Sequence, residues 1–185
     1  MEAFLVSVAV VALAEFGDKT QLLSLVLAAR FQRPVPIICG MLLATLGNHA
    51  AAGLAGAFFG SLLDGPALHW VLGLSFLAIA AWVLFPDRYL GGDRLRGSGA
   101  FLTTLVAFFL AEFGDKTQIA TIGLAARYEP LVLVIAGTIF GMMLVDIPTV
   151  LIGDRAASRL PVRAIRIAAA FGFAAIGVVT LLQEA

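Results

Sequence analysis

Ala14-Glu15-Phe16-Gly17-Asp18-Lys19-Thr20-Gln21 sits inside an otherwise apolar run, and the same eight letters return as Ala111-Glu112-Phe113-Gly114-Asp115-Lys116-Thr117-Gln118. The surroundings make this unusual. Of 185 residues, 61% are hydrophobic and only 13% are charged, whereas a soluble domain is nearer half apolar and a quarter charged. Several uncharged runs reach the length a helix needs to cross about 30 Å of hydrocarbon. The composition therefore predicts an all-α integral membrane protein, with lipid as its solvent. A soluble helical bundle is excluded because too few polar residues remain to cover one.

Apolar runs between charges and breakers fall at about 3–28, 35–60, 66–85, 100–126, 131–153 and 164–182, which predicts six transmembrane helices. Pro34, Pro66, Pro130 and Pro161 stand where a proline can start or bound a helix. Ala12-Leu13-Ala14 fits a signal-peptidase pattern, but no basic residue precedes the apolar run and Ala-Glu-Phe-Gly recurs internally, so the first segment is read as a retained span.

A shift of 97 lays Ala14–Arg30 on Ala111–Arg127 with 12 of 17 positions identical, and the register continues through Gly40 on Gly137, Gly56 on Gly153 and Phe76 on Phe173. The expected organisation is a first three-helix repeat (1–86), a hydrophilic linker (87–99) and a second three-helix repeat (100–185). An odd span number makes the second unit enter from the opposite side, giving inverted repeats as in many secondary transporters. Nine basic residues, at positions 30, 33, 88, 94, 96, 155, 159, 163 and 166, fall on one side and Arg127 alone on the other. By the positive-inside rule both termini are outside.

Glu15 and Glu112 lie near mid-span, and the spacing Glu15/Asp18 and Glu112/Asp115 puts each pair on one face of a continuous helix. A charged residue at a helix centre costs about 2.5–3.5 kcal/mol, so the six in the two motifs cost on the order of 15–20 kcal/mol uncompensated. They must pair, bind an ion, take up protons or face water. Lys19 and Lys116 can balance two of the four carboxylates, and the remaining two match one divalent cation. A structural ion-pair network is the competing reading, but a buried pair contributes little to stability. Carboxylates, the amides of Gln21 and Gln118 and the hydroxyls of Thr20 and Thr117 suit a hard cation such as Mg²⁺, Ca²⁺ or Mn²⁺. Gly17 and Gly114 permit a local kink, or backbone carbonyls reaching the ion, and otherwise serve as small residues for close helix packing. Asp146, which aligns with His49, and Asn48 beside it are further candidates for ligand or proton relay. Gly56/Gly60 and Gly137/Gly141 read as packing motifs, and the lone Cys39 as a small hydrophobe.

Glu-x-Gly-Asp-Lys-Thr, once per three-span half, resembles the signature of a family of small membrane cation transporters that includes Golgi and plastid manganese/calcium transporters and bacterial manganese exporters. The resemblance covers essentially the whole chain. It implies a cation site of Glu15, Asp18, Glu112 and Asp115, with Gly17 and Gly114 in the signature. It also implies secondary transport of Mn²⁺ or Ca²⁺ against protons, in a multi-pass protein of the bacterial inner membrane. No cofactor is expected, and the partners are the divalent ion and lipid. Net charge is zero, which gives no basis for nucleic-acid binding. A second copy of the chain, in a homo-oligomer, is a further candidate partner. No phosphate-binding loop is present, so ATP hydrolysis is not expected. Two other classes compete. An intramembrane aspartyl protease would want a Gly before the Gly-Asp position that here carries Glu15, and no Lys after each Asp. An exporter of small organic molecules would want fewer fixed charges.

Overall fold

The structure is a computed structural model that describes residues 1–63, 65–85, 99–152 and 162–182. Eight helices appear among the described residues: α1 (Glu2–Glu15), α2 (Lys19–Phe31), α3 (Pro34–Leu62), α4 (Gly65–Val83), α5 (Ala100–Glu112), α6 (Lys116–Arg127), α7 (Leu131–Ile152) and α8 (Val162–Leu182). Four of these, α3, α4, α7 and α8, are long and apolar enough to cross a membrane by themselves. The linker from 87, most of the loop at 154–163, and Gly153 lie outside the described residues, and so do five of the arginines in the orientation count.

The first and fourth expected spans are each two helices. The helix is interrupted at Phe16–Asp18 and again at Phe113–Asp115, where Gly17 and Gly114 adopt φ of 71° and 73°. That region is open to glycine and strained for other residues. Nothing crowds Gly114, so conformation and not space selects it. Both glycines therefore mark a local break in the helix. This also corrects the geometry expected from a continuous helix. Glu15 is the last residue of α1 and Asp18 caps the start of α2, so the two carboxylates stand on opposite sides of a break rather than on one helix face.

Packing follows the small residues. A Cβ at Gly40 would lie 2.7 Å from the Phe101 carbonyl on α5, and one at Gly137 would lie 2.6 Å from the Phe4 carbonyl on α1. These contacts are the same pair moved by 97. Gly56 and Gly60 bring α3 onto α6, and Gly141 brings α7 onto α1 in the same way. Two residue pairs that are each other's counterparts also touch. Phe76 and Phe173 stack with centroids 6.3 Å apart, joining α4 to α8, and the Thr45 hydroxyl lies 3.4 Å from Met142 Sδ between α3 and α7.

The bundle buries charged and polar side chains beside an apolar core and turns large apolar side chains outward. Glu15, Glu112, Asp115, Asp146 and His49 are fully buried, while Leu54, Phe58, Leu110, Phe113 and Phe171 are exposed. Water would reverse that distribution, and hydrocarbon accepts it. Cys39 is exposed on α3 and does not pack into the core as expected.

Candidate metal centre

The two breaks are built alike. Each ends one helix at the glutamate, turns through Phe-Gly, and starts the next helix with the aspartate as N-cap. Asp18 N–H donates to the Glu15 carbonyl at 3.0 Å, and Asp115 N–H to the Glu112 carbonyl at 3.0 Å. Gln21 and Gln118 close the turns: their Oε1 atoms accept the Gly17 and Gly114 N–H groups at 2.8 and 2.7 Å. A backbone N–H at a helix interruption needs such a partner. In this arrangement the glutamine carbonyls hold the break instead of pointing at an ion.

Across the interface the motifs exchange partners. Lys19 Nζ lies 2.8 Å from Asp115 Oδ1, and Lys116 Nζ lies 2.6 Å from Asp18 Oδ1. Each lysine of one motif thus meets the aspartate of the other. Three buried carboxylates remain, Glu15, Glu112 and Asp146, and no ion pair joins them to Lys or Arg among the described residues. Thr20 Oγ1 donates to Glu15 Oε1. Thr45 Oγ1 donates to Glu112 Oε1 at 2.9 Å, and Asn48 Nδ2 reaches Glu112 Oε2 at 3.4 Å. Ser24 Oγ donates to Asp146 Oδ1 at 3.1 Å. Asp146 is close enough to act electrostatically on both Glu15 and Glu112. Glu15 Oε2, Asp146 Oδ2 and both nitrogens of His49 are buried with no hydrogen-bond partner among the described residues. Unsatisfied polar atoms in a buried site are costly and call for a proton or ligand.

The remaining candidates are placed as follows. Thr117 Oγ1 lies 3.5 Å from Asp115 Oδ2, and Gln118 Nε2 lies 3.5 Å from Asn48 Oδ1. Among the described residues no three His, Cys, Asp or Glu side chains converge tightly enough to hold a metal ion in this conformation. The sequence reading gave no site role to Ser24, Thr45, Thr149 or Arg166, the last counted there only for orientation. Thr45, Asn48 and His49 occupy positions i, i+3 and i+4 of α3, a polar stripe that could have revealed Thr45. Ser24 likewise follows Thr20 by one turn. Thr149, which accepts from Gln21 Nε2 at 3.2 Å, and Arg166, which donates to the Gly17 carbonyl, carry no such signal.

The profile of a family described as "Divalent cation/proton antiporter GDT1" matches residues 3–90 and 100–185. The chain belongs to this family. A protein of Vibrio cholerae serotype O1 named "Putative manganese exporter" is 48% identical over 167 residues, which cover 90% of this chain and 84% of that protein. "GDT1-like protein 5" of Arabidopsis thaliana is 27% identical over 98% of this chain and 96% of its own length. "GDT1-like protein sll0615" of Synechocystis is 25% identical over 86% of this chain and 87% of its own length. No solved structure matches the chain. This GDT1-family member is thus a transporter in a family of divalent cation/proton antiporters and not an enzyme, which sets aside the protease reading.

Proposed function

We propose that the protein exports Mn²⁺ in exchange for protons, with Ca²⁺ as the alternative cargo, and that Glu15, Asp18, Glu112 and Asp115 carry the ion. The reading that best fits the chain is six crossings as two inverted repeats (1–86 and 100–185) joined by 87–99, in a bacterial inner membrane with both termini outside. Support for the inverted arrangement comes from contacts that recur in reciprocal form under the 97-residue shift: Gly40 with Phe101 and Gly137 with Phe4, and Phe76 with its own counterpart Phe173. Self-association into a homo-oligomer is compatible with this reading.

The observation that carries the function is the exchanged pairing of Lys19 with Asp115 and Lys116 with Asp18. It neutralises both aspartates and leaves Glu15 and Glu112, one from each half, as buried acids beside Asp146. A divalent ion that engages all four motif carboxylates must displace two ammonium groups. Protons on Glu15 and Glu112 must leave as it binds, which is the stoichiometric basis of antiport. Oxygen donors from carboxylate, hydroxyl and amide favour Mn²⁺ and Ca²⁺ over softer ions. Asp146, Asn48, Thr20, Thr117 and His49 are assigned to positioning or proton transfer around these four.

The test is flux into proteoliposomes holding the purified chain, with Mn²⁺ gradients, excess Ca²⁺ as competitor and a pH gradient imposed or collapsed. Mn²⁺ movement that follows the pH gradient and resists Ca²⁺ is the expected result. Glu15→Gln is expected to lower that flux by about 100-fold or more while leaving insertion intact. Absence of any divalent flux would return the motif charges to the structural-network reading.

A further inference from the structure

The Gly17 carbonyl, at the break of the first motif and one residue before Asp18, accepts a hydrogen bond from Arg166 Nη2 on α8. This contact spans 149 residues of chain and is half-buried. The break exists because Gly17 turns to positive φ, and turning frees carbonyls at the end of α1 from the helical ladder. A carbonyl in that position, next to Asp18 and Glu15, is a ready oxygen ligand for a hard cation. Arg166 fills it with a permanent positive charge. A cavity of about 610 Å³ lies over Arg166 and is also lined by Leu84, Arg163 and Ile167. Arg166 therefore stands between that cavity and the first motif.

The second motif differs. Under the 97-residue shift Arg166 corresponds to His69, so a guanidinium that is always charged is matched by an imidazole. Gly114 is exposed, and no atom lies where its Cβ would be. Among the contacts described, the guanidinium reaches the first break alone.

We infer that Arg166 is a tethered cation that competes with the transported ion for the Gly17 carbonyl and the Asp18 side of the site, so that ion entry from the cavity requires Arg166 to withdraw. This rests on the transporter reading above. In this role Arg166 is a positioning residue: it speeds ion release and sets apparent affinity without being a ligand. Removing its charge takes away the cation that competes for the carbonyl, so the ion binds more tightly and leaves more slowly.

The experiment measures Mn²⁺ binding to the purified full chain, by loss of the free-ion electron paramagnetic resonance signal, together with Mn²⁺ flux in proteoliposomes. Arg166→Gln, which keeps an N–H donor, and Arg166→Ala are expected to lower Kd and KM by about tenfold and to lower kcat in step. Arg166→Lys restores the charge and is expected to return both to within about twofold of the unsubstituted chain. Arg163→Gln removes a charge from the same cavity without touching Gly17, and is expected to leave Kd unchanged. A purely structural Arg166 would lower Tm in the Gln and Ala variants while Kd and KM stayed put, and that result overturns the inference. An equal shift in Arg163→Gln overturns it too, because the effect would then be general surface charge. If the unsubstituted chain neither binds nor moves Mn²⁺, the transporter reading and this inference fall together. If the unsubstituted chain transports and the variants match it, only this inference falls.

Discussion

The two copies of Ala-Glu-Phe-Gly-Asp-Lys-Thr-Gln are identical in letters and nearly identical in backbone, yet their side chains end in different company. Gly17 and Gly114 share the same φ to within 2°, at 71° and 73°, and the same glutamine closure. Glu15 takes its hydrogen bond from Thr20 of its own motif, whereas Glu112 takes Thr45 and Asn48 from α3. Lys116 is nearly sealed, at 3% side-chain exposure, while Lys19 keeps 23%. Arg166 reaches only the first break's glycine carbonyl among the contacts described. Local structure is copied by local sequence. Environment is not, because neighbours come from segments where the repeats have diverged: Asn48 faces Val145 in the alignment, His49 faces Asp146 and Thr45 faces Met142. If the two motifs hold the ion as proposed, such a difference is useful, since two identical half-sites would offer it no preferred order of contact or release.

Asp18→Asn against Asp115→Asn is the sharpest way to break the comparison. The first removes the charge of the carboxylate paired with Lys116, which is buried, and is expected to destabilise by about 3–5 kcal/mol. The second strands Lys19, which can reach solvent or headgroups, and is expected to cost about half as much. Thermal unfolding in detergent reads both. Adding Lys116→Met to Asp18→Asn is expected to recover most of the loss, and equal costs for the two single variants would show the halves to be equivalent.

Gly17→Ala and Gly114→Ala come next. Positive φ costs a side chain about 1–2 kcal/mol at either position. Because no atom lies near the Cβ site of Gly114, that backbone term is its whole expected penalty. A drop in Tm equivalent to much more than this at Gly114 would mean that the second break packs against something in the folded state.

The smallest effect is expected at Asn48→Ala. It removes one donor to Glu112 and the partner of Gln118, at about 1 kcal/mol. Its value is in selectivity: Mn²⁺ flux should respond, because Glu112 is disturbed while the Glu15 surroundings are left intact. A double substitution with Thr20→Ala should then be close to additive, since the two act on different carboxylates.

Composition alone determined the class. With 61% hydrophobic residues and, Asp146 apart, charges gathered at loops, helix ends and one repeated octapeptide, only lipid could solvate the outside of the fold. The 97-residue register likewise exposed the duplication and the four motif carboxylates, since identical letters at fixed spacing survive without any knowledge of contacts. The helix breaks were only half legible. A glycine in an apolar run can turn the chain or seat a neighbour, and φ decides which. Helical spacing therefore misassigned Glu15 and Asp18 to one face, when the chain turns between them. What tertiary structure decided is the pairing: Lys19 with Asp115, Lys116 with Asp18, Asp146 with Ser24, and Arg166 with the Gly17 carbonyl. These partners are 96, 98, 122 and 149 residues apart in sequence. Periodicity within one helix carries no information at such separations. The choice of partner is made by which helices pack together, and that is set by close approach at residues such as Gly40, Gly56 and Gly137 rather than by the charges themselves.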